Sequence, residues 1–251
     1  MDLQEFFTQI PKAAIAFSGG ADSAFLMWAA KQYGCDARAY YAETAFQPEF
    51  ELEDARRLAG ELEIPMKVVG MDILSVPEAA DNGPDRCYYC KRALFTCLRN
   101  AARADGYTVL LDGTNASDEA GDRPGMRALR ELDVRSPLRE CGLTKSEVRK
   151  RSEQAGLFTW KKPAYACLAT RIPTGTRIRT GDLERVEQAE SLMASMGFRD
   201  FRIRLCGESA RIQVTGEQME LVAEKRKQVY ETLSPLFDAV LLDLEERIPS
   251  A

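Results

Sequence analysis

The chain has 251 residues and a net charge of −5, and 45% of its residues are hydrophobic. This balance is typical of a globular protein that can bury its own core, and the acidic charge argues against a non-specific nucleic-acid partner. No apolar run approaches the length of a membrane span and the N-terminus lacks the pattern of a signal peptide, so we expect a cytoplasmic protein with no membrane partner.

The first half of the sequence alternates short apolar strands with helical segments. Strands are predicted at 13–17, 37–42, 66–69 and 108–111, and helices at 24–33, 51–62 and 91–104. Strands separated by helices form parallel sheets with helices on both faces, so we predict an α/β fold with a parallel sheet. Loops are predicted at 81–86, 118–124 and 169–176, and a helix with a capping box at 144–155.

The pattern changes after about residue 178. Strands are predicted at 201–205, 210–214 and 239–242, and helices at 182–196 and after residue 215. This mixture predicts a small α+β domain over residues 179–251, following a larger domain over residues 1–178.

A glycine-rich segment, SGGADS, lies between the first predicted strand and the first helix. Gly19 and Gly20 let the backbone turn sharply, and the free N–H groups of a helix start attract an anion. Ser18 and Ser23 add hydroxyl donors. Asp22 is a candidate Mg²⁺ ligand, because a carboxylate helps to bind phosphate when a cation bridges the two. The alternative is a turn that binds nothing, which the complete string disfavours.

The chain has seven cysteines and no histidine, so its chemistry must use groups other than imidazole. Cys87 and Cys90 form a C-x-x-C, which fits a zinc half-site, a redox dithiol or part of an iron–sulfur site. Cys167 lies in a loop-like segment with basic neighbours that favour a thiolate. A structural zinc normally needs four ligands, whereas three cysteines with an open position suit a reactive cluster; three unrelated thiols are the alternative.

Further polar residues are candidates by position. Asp112, Asn115 and Asp118 follow the fourth strand, where open α/β sheets bind ligands, although Asp112 is equally compatible with a turn-forming role. Lys91 is a candidate to neutralise a phosphate or a substrate carboxylate, and a solvated helix lysine is an equally good interpretation. Arg202 and Arg204 alternate along one strand and therefore share a face.

Six segments, in order over about residues 12–245, resemble the LarE-type sulfur transferases of the PP-loop ATP pyrophosphatase superfamily. They are SGGADS, RCYYCK, LLDGTNASDEAGDRPG, SPLRECGLTKSEVR, PAYACLATRIPTGTRI and FRIRLCGESARIQV. The resemblance implies a parallel α/β sheet of the adenine-nucleotide hydrolase type. It also implies an enzyme that uses ATP and Mg²⁺ to adenylate a carboxylate of a pyridinium dicarboxylate mononucleotide. The adenylate is then converted to a thiocarboxylate during assembly of the nickel-pincer nucleotide cofactor.

The resemblance also implies roles for single residues. Cys87, Cys90 and Cys167 would hold a 4Fe-4S cluster that carries an extra sulfide, whereas a second branch of the family has only the cysteine matching Cys167 and gives up its sulfur. Arg202 and Arg204 match positions that bind the substrate phosphate. Glu190 matches a carboxylate near the substrate in the family, and a solvated helix glutamate is the alternative. The resemblance further implies a sulfur donor as partner and a homo-oligomer such as a hexamer. Cys206 stands near a position that is often histidine in the family, which leaves its role open.

Two other functions fit parts of the sequence. A PP-loop enzyme that thiolates tRNA would need a basic face, against which the net charge of −5 argues. A metal- or redox-sensing binding protein on a nucleotide fold would not need an intact phosphate loop, the name we use for the SGGADS segment. The complete segment therefore argues against such a sensor.

Overall fold

The computed structural model describes residues 1–118, 124–163 and 165–248, and the chain falls into two compact units. Unit 1 comprises Met1–Ala79 and Asp85–Lys162, and unit 2 comprises Ala80–Pro84 and Pro163–Ala251. The predicted domains, residues 1–178 and 179–251, stay a prediction. Within the described residues no helix is both long and apolar enough to cross a membrane.

Unit 1 is built on a four-stranded sheet in the order β3-β2-β1-β4, in which every neighbouring pair is parallel. The strands are β1 Lys12–Ala16, β2 Asp36–Glu43, β3 Met66–Gly70 and β4 Leu110–Leu111. All residues of β1 after Lys12 are buried, because a central strand covered on both faces must be apolar throughout. The predicted parallel α/β fold is confirmed.

Eight α-helices of the described chain begin within unit 1. They are α1 Leu3–Gln9, α2 Ala21–Gln32, α3 Glu49–Glu61, α4 Pro77–Ala80, α5 Arg86–Ala104, α6 Pro124–Glu131, α7 Pro137–Glu140 and α8 Lys145–Gln154. Single 3-10 turns lie at Ile73–Ser75 and Phe158–Lys161. The predicted capping box of α8, Thr144 with Glu147, is present. Most of the loop predicted at 118–124 lies outside the described residues.

Helix α5 begins at Arg86 rather than at the predicted Lys91, so the C-x-x-C is helical. Cysteine and tyrosine are mediocre helix formers, and the sequence pattern alone therefore does not extend the helix this far. Tertiary packing does so: Tyr88 is buried, its hydroxyl donates to Glu131 at 2.7 Å, and Arg127 lies 3.9 Å from its ring centroid. The contact between α5 and α6 thus stabilises the first turn.

Unit 2 contains a three-stranded sheet in the order β5-β6-β7, with β5 and β6 antiparallel and β6 and β7 parallel. Its elements are β5 Arg202–Cys206, β6 Ser209–Gln213, β7 Val240–Leu242, α9 Thr180–Ser195, α10 Gly216–Glu224, α11 Arg226–Leu233 and a 3-10 turn at Leu168–Arg171. This turn overlaps the start of the segment predicted as a loop at 169–176. The mixed sheet with helices matches the predicted α+β character.

Candidate functional site

The glycine-rich segment lies at the point where the order of the strands in the unit 1 sheet reverses. Strand β1 has β2 on one side and β4 on the other, and the chain leaves its carboxyl end to enter α2. Open α/β sheets bind ligands at such a point. Gly19 has φ +74°, and a Cβ there would lie 2.9 Å from the Glu51 carbonyl oxygen, so the turn requires glycine. Gly20 is the N-cap of α2 and has no side chain to occupy the helix start.

The two serines of this segment close the loop on itself. The Ser18 and Ser23 hydroxyl oxygens are 3.1 Å apart, and the Ser23 hydroxyl donates to the Gly20 carbonyl at 3.1 Å. The chain after β4 approaches from the other side, since a Cβ at Gly113 would lie 2.8 Å from the Ser23 amide nitrogen. The contacts of the two serines therefore fix the conformation of the loop, and the first turn of α2 packs against the chain after β4.

A cavity of about 340 Å³ opens at this point, entirely within unit 1. It is lined by Ala16, Ser18, Gly20, Asp22, Ser23, Lys91, Leu94, Phe95, Asp112, Gly113, Thr114 and Asp118. The structure thus brings together residues that are far apart in sequence. Lys91 is half-buried and passes close to Gly125, where a Cβ would lie 2.9 Å from its Cδ, so it is not a freely solvated lysine.

Asp22 has the environment of a cation ligand. Its Oδ1 is buried and has no hydrogen-bond partner among the described residues. Burial raises the pKa of Asp22, and the nearby charge of Asp118 raises it further, against the opposing effect of an Asn115 hydrogen bond. A divalent cation would satisfy the orphaned oxygen and offset the repulsion between the two carboxylates. These residues fit Mg²⁺, which commonly uses one or two carboxylates together with substrate phosphates.

Asp112 and Asn115 have a different character, because they shape the chain after β4. Asp112 is buried and accepts from the Ser136 and Thr114 hydroxyls, each at 2.5 Å. Burial raises its pKa, against the effect of these two hydrogen bonds. The Asn115 backbone N–H donates to Asp118 Oδ2 at 2.9 Å. Asp112 therefore joins the chain after β4 to Ser136, and its role in binding a ligand stays a prediction.

Unit 2 contains a buried polar network around Glu190 on α9. Glu190 is 6% exposed, which excludes the solvated-glutamate interpretation. It accepts from the Tyr165 hydroxyl at 2.6 Å and from the Ile203 amide at 2.9 Å, and it forms an ion pair with the fully buried Arg171. Arg171 in turn donates through Nη1 to the Ala166 carbonyl at 2.8 Å. The network therefore fixes the backbone next to Cys167.

The two arginines of β5 lie beside this network. The Arg202 guanidinium is 5.0 Å from the Tyr165 ring centroid, and Arg204 donates to the Thr170 carbonyl at 2.6 Å. Burial lowers the pKa of Arg202 to about 10, with further effects from the charges of Arg171 and Arg247. Arginines held close together in this way attract an anionic group such as a phosphate.

The cysteines are distributed over both units. Cys87 and Cys90 lie in the first turn of α5 in unit 1, three residues apart and hence on one helix face. Cys87 is exposed and Cys90 is half-buried. In unit 2, Cys167 immediately precedes the 3-10 turn Leu168–Arg171, and Cys206 ends β5 in an exposed position. Thiolates are the donor type that binds iron–sulfur clusters. In residues 1–118, 124–163 and 165–248, however, no group of three or more cysteine or carboxylate side chains is arranged to hold a metal ion.

Sequence reasoning missed three residues of these arrangements. Tyr165 and Arg171 belong to the segment PAYACLATRIPTGTRI, but only the fold shows that both contact Glu190. Lys162 contacts the phosphate loop through the Gly19 carbonyl, and no sequence pattern indicated it. Spacing in sequence carries no signal for such long-range contacts.

The parallel sheet, the glycine-rich loop at its switch point and the cavity beside Asp22 define an α/β protein of the PP-loop nucleotide-binding class. No protein-family model matches the chain. The chain is 37% identical to an uncharacterized protein of Synechocystis sp. over 87% of its own length and 82% of that protein. It is 32% identical to the pyridinium-3,5-bisthiocarboxylic acid mononucleotide synthase of Lactiplantibacillus plantarum, over 82% of this chain and 75% of the relative. The chain belongs to this family, the LarE-type ATP-dependent sulfur transferases, and is an enzyme of that type.

A more distant similarity supports the superfamily. The chain is 25% identical to a tRNA-specific 2-thiouridylase of Clostridium botulinum, over 59% of this chain and 51% of that protein. This relationship is consistent with the PP-loop superfamily.

Proposed function

We propose that the protein adenylates a carboxylate of a pyridinium dicarboxylate mononucleotide and converts it to a thiocarboxylate for nickel-pincer nucleotide biosynthesis. The observation that carries the proposal is the phosphate loop with the orphaned Asp22 oxygen, in a chain that is 32% identical to a pyridinium-3,5-bisthiocarboxylic acid mononucleotide synthase. A carboxylate is a poor electrophile, and its transfer to AMP supplies a leaving group that a sulfur nucleophile can displace.

In this proposal the residues around the loop bind ATP. The amides at the start of α2 and the hydroxyls of Ser18 and Ser23 hold the departing pyrophosphate, and Lys91 neutralises part of its charge. Asp22 would hold Mg²⁺, assisted by Asp118, and the ion would stabilise charge on the phosphates. Asp112 and Asn115 keep the chain after β4 in place.

The arginines of unit 2 bind the mononucleotide. Arg202 and Arg204 supply the positive charge for its phosphate, because their guanidinium groups match phosphate oxygens in geometry. Glu190 acts indirectly: its carboxylate is already used by Arg171, Tyr165 and the Ile203 amide. We therefore assign Glu190 a role in positioning the residues around Cys167.

We further propose that Cys87, Cys90 and Cys167 hold a 4Fe-4S cluster. The support is the sequence pattern of three cysteines in a chain without histidine, together with the thiolate chemistry that such clusters require. The cluster would supply a site where an already ionised sulfide is held, so no imidazole base is required. Cytoplasmic location and a homo-oligomer such as a hexamer belong to the same proposal; light scattering of the purified protein tests the second.

The test is an assay with ATP, Mg²⁺ and the pyridinium dicarboxylate mononucleotide. We expect release of AMP and pyrophosphate that depends on the mononucleotide, and a product whose mass shows exchange of oxygen for sulfur when sulfide is supplied. ATP cleavage that depends on tRNA instead, with thiolation of the tRNA, would replace this proposal with the tRNA-thiolating alternative. No ATP cleavage with either acceptor would contradict both.

A further inference from the structure

Lys162 contacts the outer side of the phosphate loop. Its Nζ lies 2.7 Å from Asp54 Oδ2 on α3 and donates to the Gly19 carbonyl at 3.3 Å. The ammonium group also lies 5.3 Å from the centroid of the Phe50 ring, and the Lys162 side chain is only 15% exposed. The side chain thus joins α3 to the loop at one defined point.

The backbone that carries Lys162 is itself held in place. Arg149 on α8 donates through Nη1 to the Trp160 carbonyl at 3.0 Å and through Nη2 to the Lys162 carbonyl at 3.1 Å. These two bonds span the end of the 3-10 turn Phe158–Lys161. A long, flexible side chain that starts from a fixed backbone and ends on a carboxylate loses much of its freedom, and can orient the group that it touches.

The Gly19 carbonyl is such a group, because it belongs to the peptide that enters α2. In a trans peptide the carbonyl and the following N–H point in opposite directions. A carbonyl directed at Lys162 therefore directs the Gly20 N–H to the other side of the peptide, where its nearest acceptor is the Ser18 hydroxyl at 3.4 Å. Ser18 and Gly20 both line the cavity of unit 1. A long bond of 3.4 Å leaves this N–H available to a stronger acceptor.

We infer that Lys162 is a positioning residue of the phosphate loop, which holds the Gly19 carbonyl so that the Gly20 amide is directed at the pyrophosphate group of bound ATP. The inference rests on the proposed use of ATP. Lys162 acts through the backbone rather than as a phosphate ligand, since its charge is paired with Asp54. Asp54 is correspondingly the group that keeps Lys162 on the carbonyl.

Isothermal titration of the full-length protein with magnesium pyrophosphate tests this assignment. The variants are Lys162→Met, Asp54→Asn and both together, with Lys161→Met as the matched control, because Lys161 is exposed and contacts the ring of Trp160 instead. We expect Lys162→Met to raise the Kd about tenfold, the size of one lost hydrogen bond to a charged group. Asp54→Asn should raise the Kd by less than Lys162→Met does, and the double variant should raise it no further than Lys162→Met alone. Lys161→Met should bind magnesium pyrophosphate like the wild type.

Two further measurements separate positioning from a general loss of structure. Hydrogen exchange of the peptide over residues 17–24 should be faster in ligand-free Lys162→Met than in the wild type, with the unfolding temperature little changed. Lys162→Arg should recover part of the affinity, because a guanidinium can also donate to the Gly19 carbonyl.

The outcomes are distinguishable. Wild-type affinity and unchanged exchange in Lys162→Met would overturn the inference and leave the proposed function intact. Tighter binding in Asp54→Asn would also overturn it, because release of the ammonium would then show that Lys162 contacts phosphate directly. A wild-type protein that binds neither magnesium pyrophosphate nor ATP would overturn the proposed function, and this inference with it.

Discussion

Arg171 and Glu190 form a two-point ion pair in the interior of unit 2, with Nε 2.8 Å from Oε1 and Nη2 3.0 Å from Oε2. The Arg171 side chain is fully buried, and that of Glu190 is 8% exposed. Removal of one partner of a buried pair leaves an uncompensated charge, which is more destabilising than the intact pair is stabilising. The geometry therefore predicts a large effect of substitution on the free energy of unfolding.

We expect Glu190→Gln to lower the free energy of unfolding by about 3 kcal/mol, because Arg171 would remain buried without a counter-charge. Urea denaturation followed by circular dichroism measures this change. Glu184→Gln on the same helix is the control, since Glu184 is exposed and its substitution should have little effect. Equal free energies of unfolding for the two variants would show that the buried ion pair does not contribute to the stability of the fold.

The buried carboxyl group of Asp112 predicts a pH-dependent difference in stability. Burial raises the pKa of Asp112 from its ordinary value of 3.8, so the folded state binds this proton more tightly than the unfolded state. The contribution of Asp112 to the free energy of unfolding therefore falls as the pH rises from about 3.8 through the raised pKa, and is constant above it. Asp112→Asn has no such titration.

The stability of Asp112→Asn minus that of the wild type should thus increase as the pH rises over this window. Urea titrations of both proteins between pH 3.5 and 8 (about one point per half unit) measure this difference, and the titrations common to both proteins cancel. A difference that decreases with pH would mean that the two hydroxyl donors outweigh burial and lower the pKa.

Arg204 is expected to affect the binding of the mononucleotide selectively. Arg204→Met should raise KM for the mononucleotide about tenfold, because one charge-assisted contact to its phosphate is lost, and should leave KM for ATP unchanged. Arg199→Met is the control, since Arg199 is exposed in the same unit. A parallel rise in both KM values would indicate loss of structure rather than loss of a phosphate contact.

The cysteines predict the metal content of protein purified without oxygen. The wild type should contain about four irons per chain with equivalent acid-labile sulfide, and Cys90→Ala should lose them. Cys97→Ala and Cys206→Ala should retain the cluster, because neither residue belongs to the proposed set of three. Cys97 lies further along the helix that carries the C-x-x-C, and Cys206 lies at the end of β5, outside the segment that contains Cys167.

No iron in the wild type, even after reconstitution, would contradict the cluster. Cys167 would then be a candidate sacrificial donor, and loss of one sulfur from the protein after a single turnover would be the next mass measurement. Loss of iron in Cys206→Ala would identify Cys206 as a ligand in place of one of the three.

Much of unit 1 was predictable because its signals are local. An apolar strand, the SGGADS turn and a following helix occupy consecutive residues, so their order alone predicts both the parallel sheet and the phosphate loop. Helix α1, by contrast, was not predicted, although Asp2 and Glu5 form a capping box at its start. The first turn of α5 was missed because its stability comes from packing against α6.

The sequence by itself determined the class of fold, the place of the glycine-rich segment between the first strand and the following helix, and the family through six segments that follow one another in order. Only the tertiary structure decided which side chains have partners: that Glu190 is buried against Arg171, that Asp22 has an orphaned oxygen, and that Lys162 reaches Gly19 across 143 residues of chain. The physical reason is that periodicity and turn chemistry act between neighbours in sequence, whereas burial and long-range hydrogen bonds exist only when distant segments pack together.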